Sequence, residues 1–189
     1  MTKALLRKEA LAARSNLPGD DCSEKSRRIC DRLLSSNEYQ NASTVLLYKA
    51  YNNEVDTDPI FERAIRDGKK VYYPVTDIVD GNPTLTFYEI TDASQLIPGY
   101  KGIMEPDVTK GLRCLEWSAD ICITPGVAFD RKCHRIGYGK AFYDRYLRMN
   151  TPKTVVGLAY DIQIVDEFAV EDTDISVDAV MTESQTYYA

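Results

Sequence analysis

Between Pro125 and Leu147 the chain reads PGVAFDRKCHRIGYGKAFYDRYL, which gathers the residue types that handle a phosphorylated ligand. Gly126, Gly137 and Gly139 let backbone N–H groups come close to an anion, and the start of the following helix adds a favourable dipole. Arg135 and Lys140 flank the glycines and can neutralise phosphate oxygens. Asp144 falls one turn into the helix, where its carboxylate could hold magnesium beside the phosphates. The spacing is neither G-x-x-x-x-G-K-S/T nor G-x-G-x-x-G, because Phe142 stands where the third glycine would be. A tight strand-to-helix turn carrying solvated charges uses the same residues. Spacing alone does not choose between the two.

The loop needs a strand before it and a helix after it. Asp120–Thr124 (DICIT) reads as a buried strand, Pro125–Gly139 as the loop, and Lys140 to about Arg148 as the helix. Upstream, Thr2–Arg14 reads as a helix with Leu6, Ala10 and Ala13 on one side and Lys3, Arg7 and Arg14 on another. A second helix is expected from about Cys22 to Ser35, and a strand over Ser43–Tyr48. Asp58-Pro59 predicts a helix start, with Asp58 as the cap and proline in the first turn. Lys70–Pro74 and Leu85–Ile90 are expected strands, separated by an Asp80–Pro83 turn. Thr91–Glu116 is expected to be irregular, and Val155–Tyr160 and Ser176–Met181 close the chain as strands. Alternating strands and helices imply one α/β domain over 1–189, its mainly parallel sheet covered on both faces. Ligands of such sheets bind outside the carboxyl ends of the strands, where the loop after Thr124 lies.

Composition narrows the partners. The 23 Lys and Arg against 29 Asp and Glu give a net charge of −6, which disfavours a nucleic acid while leaving a small anion possible. Five cysteines without a C-x-x-C pair support neither a disulfide framework nor a zinc site, and fit reduced thiols in the cytoplasm. Met1–Arg14 is charged throughout and lacks the apolar core of a secretory signal. No apolar run is long enough to span a membrane. His134 is the only histidine, which excludes a His-rich metal site, and it is expected to sit exposed in the loop rather than act as a base. Small-molecule substrates, no nucleic acid, no membrane and a monomer are the expectations.

The order of residues carries more than the glycine spacing does. PGVAFD followed by RIGYGKAFYDRYL resembles the signature of the 5-formyltetrahydrofolate cyclo-ligase family, also called methenyltetrahydrofolate synthetases. The resemblance covers nearly the whole chain. Lys3-x-x-x-Arg7 is similar to the family's opening helix, and Asn53–Thr57 to its acidic turn after the first strand. Gly68–Val71 with Pro74, the Gly102–Pro106 turn (GIMEP) and Asp174–Asp178 (DISVD) match further segments in order.

This resemblance implies a three-layer α/β/α sandwich related to the sugar-phosphate isomerase and CoA-transferase group. It implies ATP as co-substrate and magnesium as cofactor. Lys3 and Arg7 would reach the ATP phosphates. Arg135, Ile136, Gly137, Tyr138, Gly139, Lys140, Ala141, Phe142 and Tyr143 would form the nucleotide loop, with Arg135 and Lys140 as its catalytic cations. Lys49, Tyr51 and Glu54 would face the folate, with Tyr138 and Phe142 on a wall shared by pterin and phosphates. Asp144 and Asp174 would be the magnesium carboxylates. Each has a plainer alternative from the residues themselves. A Lys3/Arg7 pair one turn apart is commonly solvated, Glu54 and Asp56 suit a helix start, and Asp174 suits a polar loop.

Two positions depart from the family pattern. Cys133 and Ala141 stand where glycine is usual; if the site of Ala141 needs a positive φ, alanine there costs on the order of 1 kcal/mol. Phe142 replaces a common tyrosine and removes one hydroxyl. The implied reaction is closure of 5-formyltetrahydrofolate to 5,10-methenyltetrahydrofolate through a phosphorylated formyl oxygen, with no protein nucleophile. Two rivals stay open: a weakly catalytic paralogue that binds folate or nucleotide, favoured by Cys133 and Ala141, and a sugar-phosphate or CoA-type enzyme on a related fold.

Overall fold

The computed structural model describes residues 2–115 and 118–189. Met1 and Glu116, which bounded two of the expected segments, lie outside them. In chain order the elements are α1 (Lys3–Ser15), α2 (Gly19–Leu34), α3 (Asn37–Gln40), β1 (Thr44–Leu46), α4 (Asp58–Arg66), β2 (Lys70–Val79) and β3 (Asn82–Glu89). Next come β4 (Leu96–Pro98), β5 (Met104–Pro106), β6 (Ile121–Thr124), β7 (Ala128–Asp130), β8 (Arg135–Ile136) and α5 (Phe142–Met149). The chain ends with β9 (Thr154–Leu158), β10 (Ile164–Val165), β11 (Ala179–Met181) and β12 (Thr186–Tyr188).

Seven strands form the main sheet in the order β12-β11-β9-β6-β1-β2-β3. Its five inner strands are parallel, and an antiparallel strand closes each edge. Where the inner strands pair with one another they are short and apolar on both faces. Val45, Leu47, Val71, Tyr73, Ile121, Ile123, Val156 and Leu158 join Ile29 and Leu33 of α2 and Ile60 and Ala64 of α4 in one core. The alternate residues Leu46, Tyr72, Cys122 and Val155 meet Tyr146 and Leu147 of α5 in the other. A period of two thus assigns each strand residue to one of two helical layers. The chain runs from β1 to β2 in one direction and from β6 to β9 in the other, so the strand order reverses between β1 and β6. That reversal opens a crevice at the strands' carboxyl ends.

Several expectations need correction. The loop after Thr124 is not irregular: β7 and β8 pair antiparallel, and β10 adds a parallel third strand. The helix beyond it begins at Phe142, which leaves Lys140 and Ala141 in the turn, because Ala141 takes a left-handed conformation that no helix continues. The cap of α4 is Thr57 rather than Asp58, and its hydroxyl donates to the Tyr48 carbonyl at 2.6 Å instead of capping. β2 runs on to Val79 in a long hairpin with β3, since Pro74 lies beyond the register shared with β1 and the Asp80-Gly81 turn has positive φ at both residues. Within the expected irregular stretch, β4 and β5 form a hairpin.

On α1, Arg14 is buried and Ala13 is exposed, the reverse of the expected inner face. The Lys3–Arg7–Arg14 row turns inward because the Asn52, Gly126 and Gly137 carbonyls, the Tyr138 hydroxyl and the Asp174 carboxylate present acceptors to it. Among the described residues, no helix is long and apolar enough to cross a membrane.

Candidate active site

One cavity of roughly 320 Å³ opens at the crevice. Every candidate residue drawn from the sequence lines it: Lys3 and Arg7 of α1; Lys49, Tyr51 and Glu54 after β1; Arg135 through Tyr143; and Asp144 and Asp174. The N-terminal helix and the glycine turn are therefore walls of a single site, although about 130 residues apart in sequence. Arg7 Nε donates to the Gly137 carbonyl at 2.7 Å and ties the two walls together. Gly139 turns at φ +92°, a conformation in which a side chain would be strained.

Cations and carboxylates at this end are paired across elements. Arg135 donates to Asp144 Oδ1 at 2.9 Å, and the Ile175 N–H donates to the same oxygen at 3.3 Å. Lys3 binds Asp174 directly and reaches Glu171 at 3.3 Å. Burial pushes the Asp174 carboxyl up, but the hydrogen bonds from Lys3 and the Glu171 N–H, together with the charges of Lys3 and Arg135, hold the group below its ordinary range. Lys140 is exposed at the mouth of the turn. Lys49 is bound to Asp58, at the start of α4. Tyr100 on the far wall meets Phe142 edge-on, ring centres 5.9 Å apart.

Sequence reasoning passed over Arg14. Its guanidinium is buried and donates to the Asn52 carbonyl at 3.0 Å, to the Gly126 carbonyl at 3.1 Å and to the Tyr138 hydroxyl. It stands 3.9 Å from Glu54. Glu54 is itself nearly fully buried, and desolvation raises its carboxyl to about 7 despite Arg14 and the Tyr51 N–H. The spacing of Arg14 from Arg7 and Lys3 was the available signal; its burial was not readable.

The family model described as the 5-formyltetrahydrofolate cyclo-ligase family matches residues 1–183. The chain belongs to the 5-formyltetrahydrofolate cyclo-ligase family. A cyclo-ligase of Escherichia coli is 34% identical over 168 residues, covering 87% of this chain and 91% of that one. One of Haemophilus influenzae is 29% identical, covering 90% and 91%. The solution structure of a 5,10-methenyltetrahydrofolate synthetase from Aquifex aeolicus superposes with a TM-score of 0.85 at 32% identity, over 100% of this chain and 93% of that one.

Within this cyclo-ligase chain the two glycine departures both fall at positive φ, Cys133 at +63° and Ala141 at +54°. Cys133 follows a turn built by Asp130, whose carboxylate accepts from the N–H groups of Lys132 and His134, both at 2.9 Å. His134 is half-buried rather than exposed, with Nδ1 2.8 Å from Asp130 Oδ2. Asp130 and His134 hold the loop's shape and do not line the cavity.

Proposed function

We propose that this chain converts 5-formyltetrahydrofolate to 5,10-methenyltetrahydrofolate with consumption of ATP and release of ADP and phosphate, as a C–N bond-forming ligase. The observation that carries the reading is the single cavity in which Lys3 and Arg7 meet the Gly137–Lys140 turn beside Tyr51 and Glu54. The domain spans 1–189 and acts as a cytoplasmic monomer on small molecules, without nucleic acid. Its sandwich is related to the sugar-phosphate isomerase and CoA-transferase group.

An amide oxygen is a poor leaving group, and phosphorylation makes it a good one. The formyl oxygen attacks the γ-phosphorus and ADP departs. The N10 lone pair then closes on the formyl carbon, N10 loses its proton, and phosphate leaves with the former formyl oxygen. No protein nucleophile is required. The protein's work is to place two ligands in line and to offset charge on the transferred group. Lys140 is exposed at the turn and reaches the phosphates as an unconstrained cation; Arg135 and Lys3 do so from fixed positions. Tyr138 and Phe142 stand between the phosphate and pterin halves.

Asp144 and Asp174 suit magnesium: they are hard oxygen donors beside the phosphate turn, and magnesium commonly takes one or two carboxylates plus substrate phosphates and water. Among the described residues no group of three or more His, Cys, Asp or Glu is assembled, and with two carboxylates the site would rely on phosphate and water oxygens for the rest. Held by Asp144 and Asp174, the ion would supply positive charge against the phosphate oxygens.

Purified protein given 5-formyltetrahydrofolate, ATP and magnesium should develop the absorbance of the methenyl product, and chelation should stop it. Folate binding without product would establish the weakly catalytic paralogue instead.

A further inference from the structure

Glu105 lies on β5 in the Gly102–Pro106 turn and takes no part in the phosphate chemistry. It is 7% exposed and lines the cavity. Its Oε1 is buried with no hydrogen-bond partner. The other carboxylates lining the cavity are engaged: Asp144 by Arg135, Asp174 and Glu171 by Lys3, and Glu54 by the Tyr51 N–H at 3.0 Å. A buried carboxylate oxygen left in this state costs stability, and a ligand that donates to the group recovers it.

The hairpin is shaped around this carboxylate. Gly99 donates its N–H to the Ile103 carbonyl at 2.7 Å, which closes the β4–β5 turn. A Cβ at position 99 would lie 2.3 Å from Glu105 Oε2, so only glycine leaves the carboxylate its place. Ile103, Met104, Pro74 and Leu85 supply an apolar wall nearby in the same cavity. Such a wall accepts a flat heterocycle, and a carboxylate at its edge accepts ring N–H groups. Two flat rings are available in the proposed reaction. The 2-amino-4-oxo pyrimidine edge of a reduced pterin offers two adjacent donors, N3–H and the 2-amino group, which match two carboxylate oxygens. Adenine offers its amino group beside the N1 lone pair, which a carboxylate repels.

We propose that Glu105 is a specificity-determining residue for the pterin, its carboxylate accepting the paired N–H donors of the pyrimidine edge. The assignment rests on the cyclo-ligase reading and names the group that reads its substrate.

Calorimetric titration of 5-formyltetrahydrofolate, without ATP, tests it. Glu105→Gln keeps the shape and should weaken folate binding by at least about tenfold. ATP affinity should stay within about twofold of wild type, by the same argument that adenine avoids the group. Its Tm should match or exceed wild type, because the shape is kept and no hydrogen bond to Oε1 is lost. Gly99→Ala, which displaces the carboxylate, should show the same selective loss. A 2-desamino-2-methyl folate should bind wild type weakly and Glu105→Gln no more weakly still. Unchanged folate affinity in Glu105→Gln, equal losses for ATP and folate, or no folate binding by wild type would each overturn the proposal. Glu105-dependent folate binding without methenyl product would sink the cyclo-ligase reading and leave the pterin site standing.

Discussion

Around Lys3 and Arg135 the carboxylates lining the cavity are ion-paired, Asp174 with Lys3 and Asp144 with Arg135, whereas Glu54, 3.9 Å from Arg14, and Glu105, whose Oε1 has no partner, are buried acceptors. The first arrangement keeps cations and carboxylates balanced until a polyanion arrives and redistributes them. The second keeps acceptors desolvated, which strengthens their attraction for N–H donors and penalises them while empty. On the proposed function, one cavity would meet a phosphate chain and a heterocycle by opposite charge strategies.

The largest expected effect lies with the buried acceptors. Arg14→Ala removes the buried cation beside Glu54 together with its hydrogen bonds to the Asn52 and Gly126 carbonyls and the Tyr138 hydroxyl, and should cost about 3–5 kcal/mol in denaturant unfolding. A loss below about 1 kcal/mol would erase the contrast between the two arrangements.

Glu54 gives the buried acceptors a pH signature. Desolvation raises its carboxyl from 4.5 to about 7, so the folded chain binds the proton more tightly than the unfolded one. Its stabilising contribution is fully present below pH 4.5 and is lost as pH rises through 7, by about 3 kcal/mol. Unfolding free energies measured from pH 4.5 to 7.5 should fall more steeply for wild type than for Glu54→Gln. Parallel curves would mean that burial is relieved by solvent.

At the glycine turn, Lys140→Ala should lower kcat/KM for ATP by roughly a hundredfold without changing Tm, because the side chain is exposed. Unaltered kinetics would remove it from the site. Asp144→Asn should raise the magnesium concentration for half-maximal rate by about tenfold, and an unaltered metal response would defeat that role. The smallest effect belongs to the backbone: Ala141→Gly relieves the φ of +54° and should raise stability by about 1 kcal/mol or less, read as a Tm increase of a few degrees.

Local pattern made much of the molecule readable. Apolar runs such as ICIT and TVL could only be inner strands, and the alternation within them assigned each residue to a layer. The expectation that Ala141 would be strained depended only on the need for φ above zero, and the backbone has it. The failures share a cause. The loop after Thr124 became strands because β10, thirty-five residues on, pairs with β7. Pro74 seemed to end a strand because the β3 partner that carries β2 onward is not visible in β2 itself.

The sequence by itself determined the α/β architecture, the family and the residues that line the cavity, since these depend on residue type, short spacing and ordered motifs. Tertiary structure decided what each charge does. Whether Arg14 is solvated or buried, whether Asp174 is free or held by Lys3, and whether Glu105 has a partner all depend on what distant segments bring alongside. Desolvation and Coulomb attraction act through space between groups far apart in the chain, so their balance appears only once the fold has set the distances.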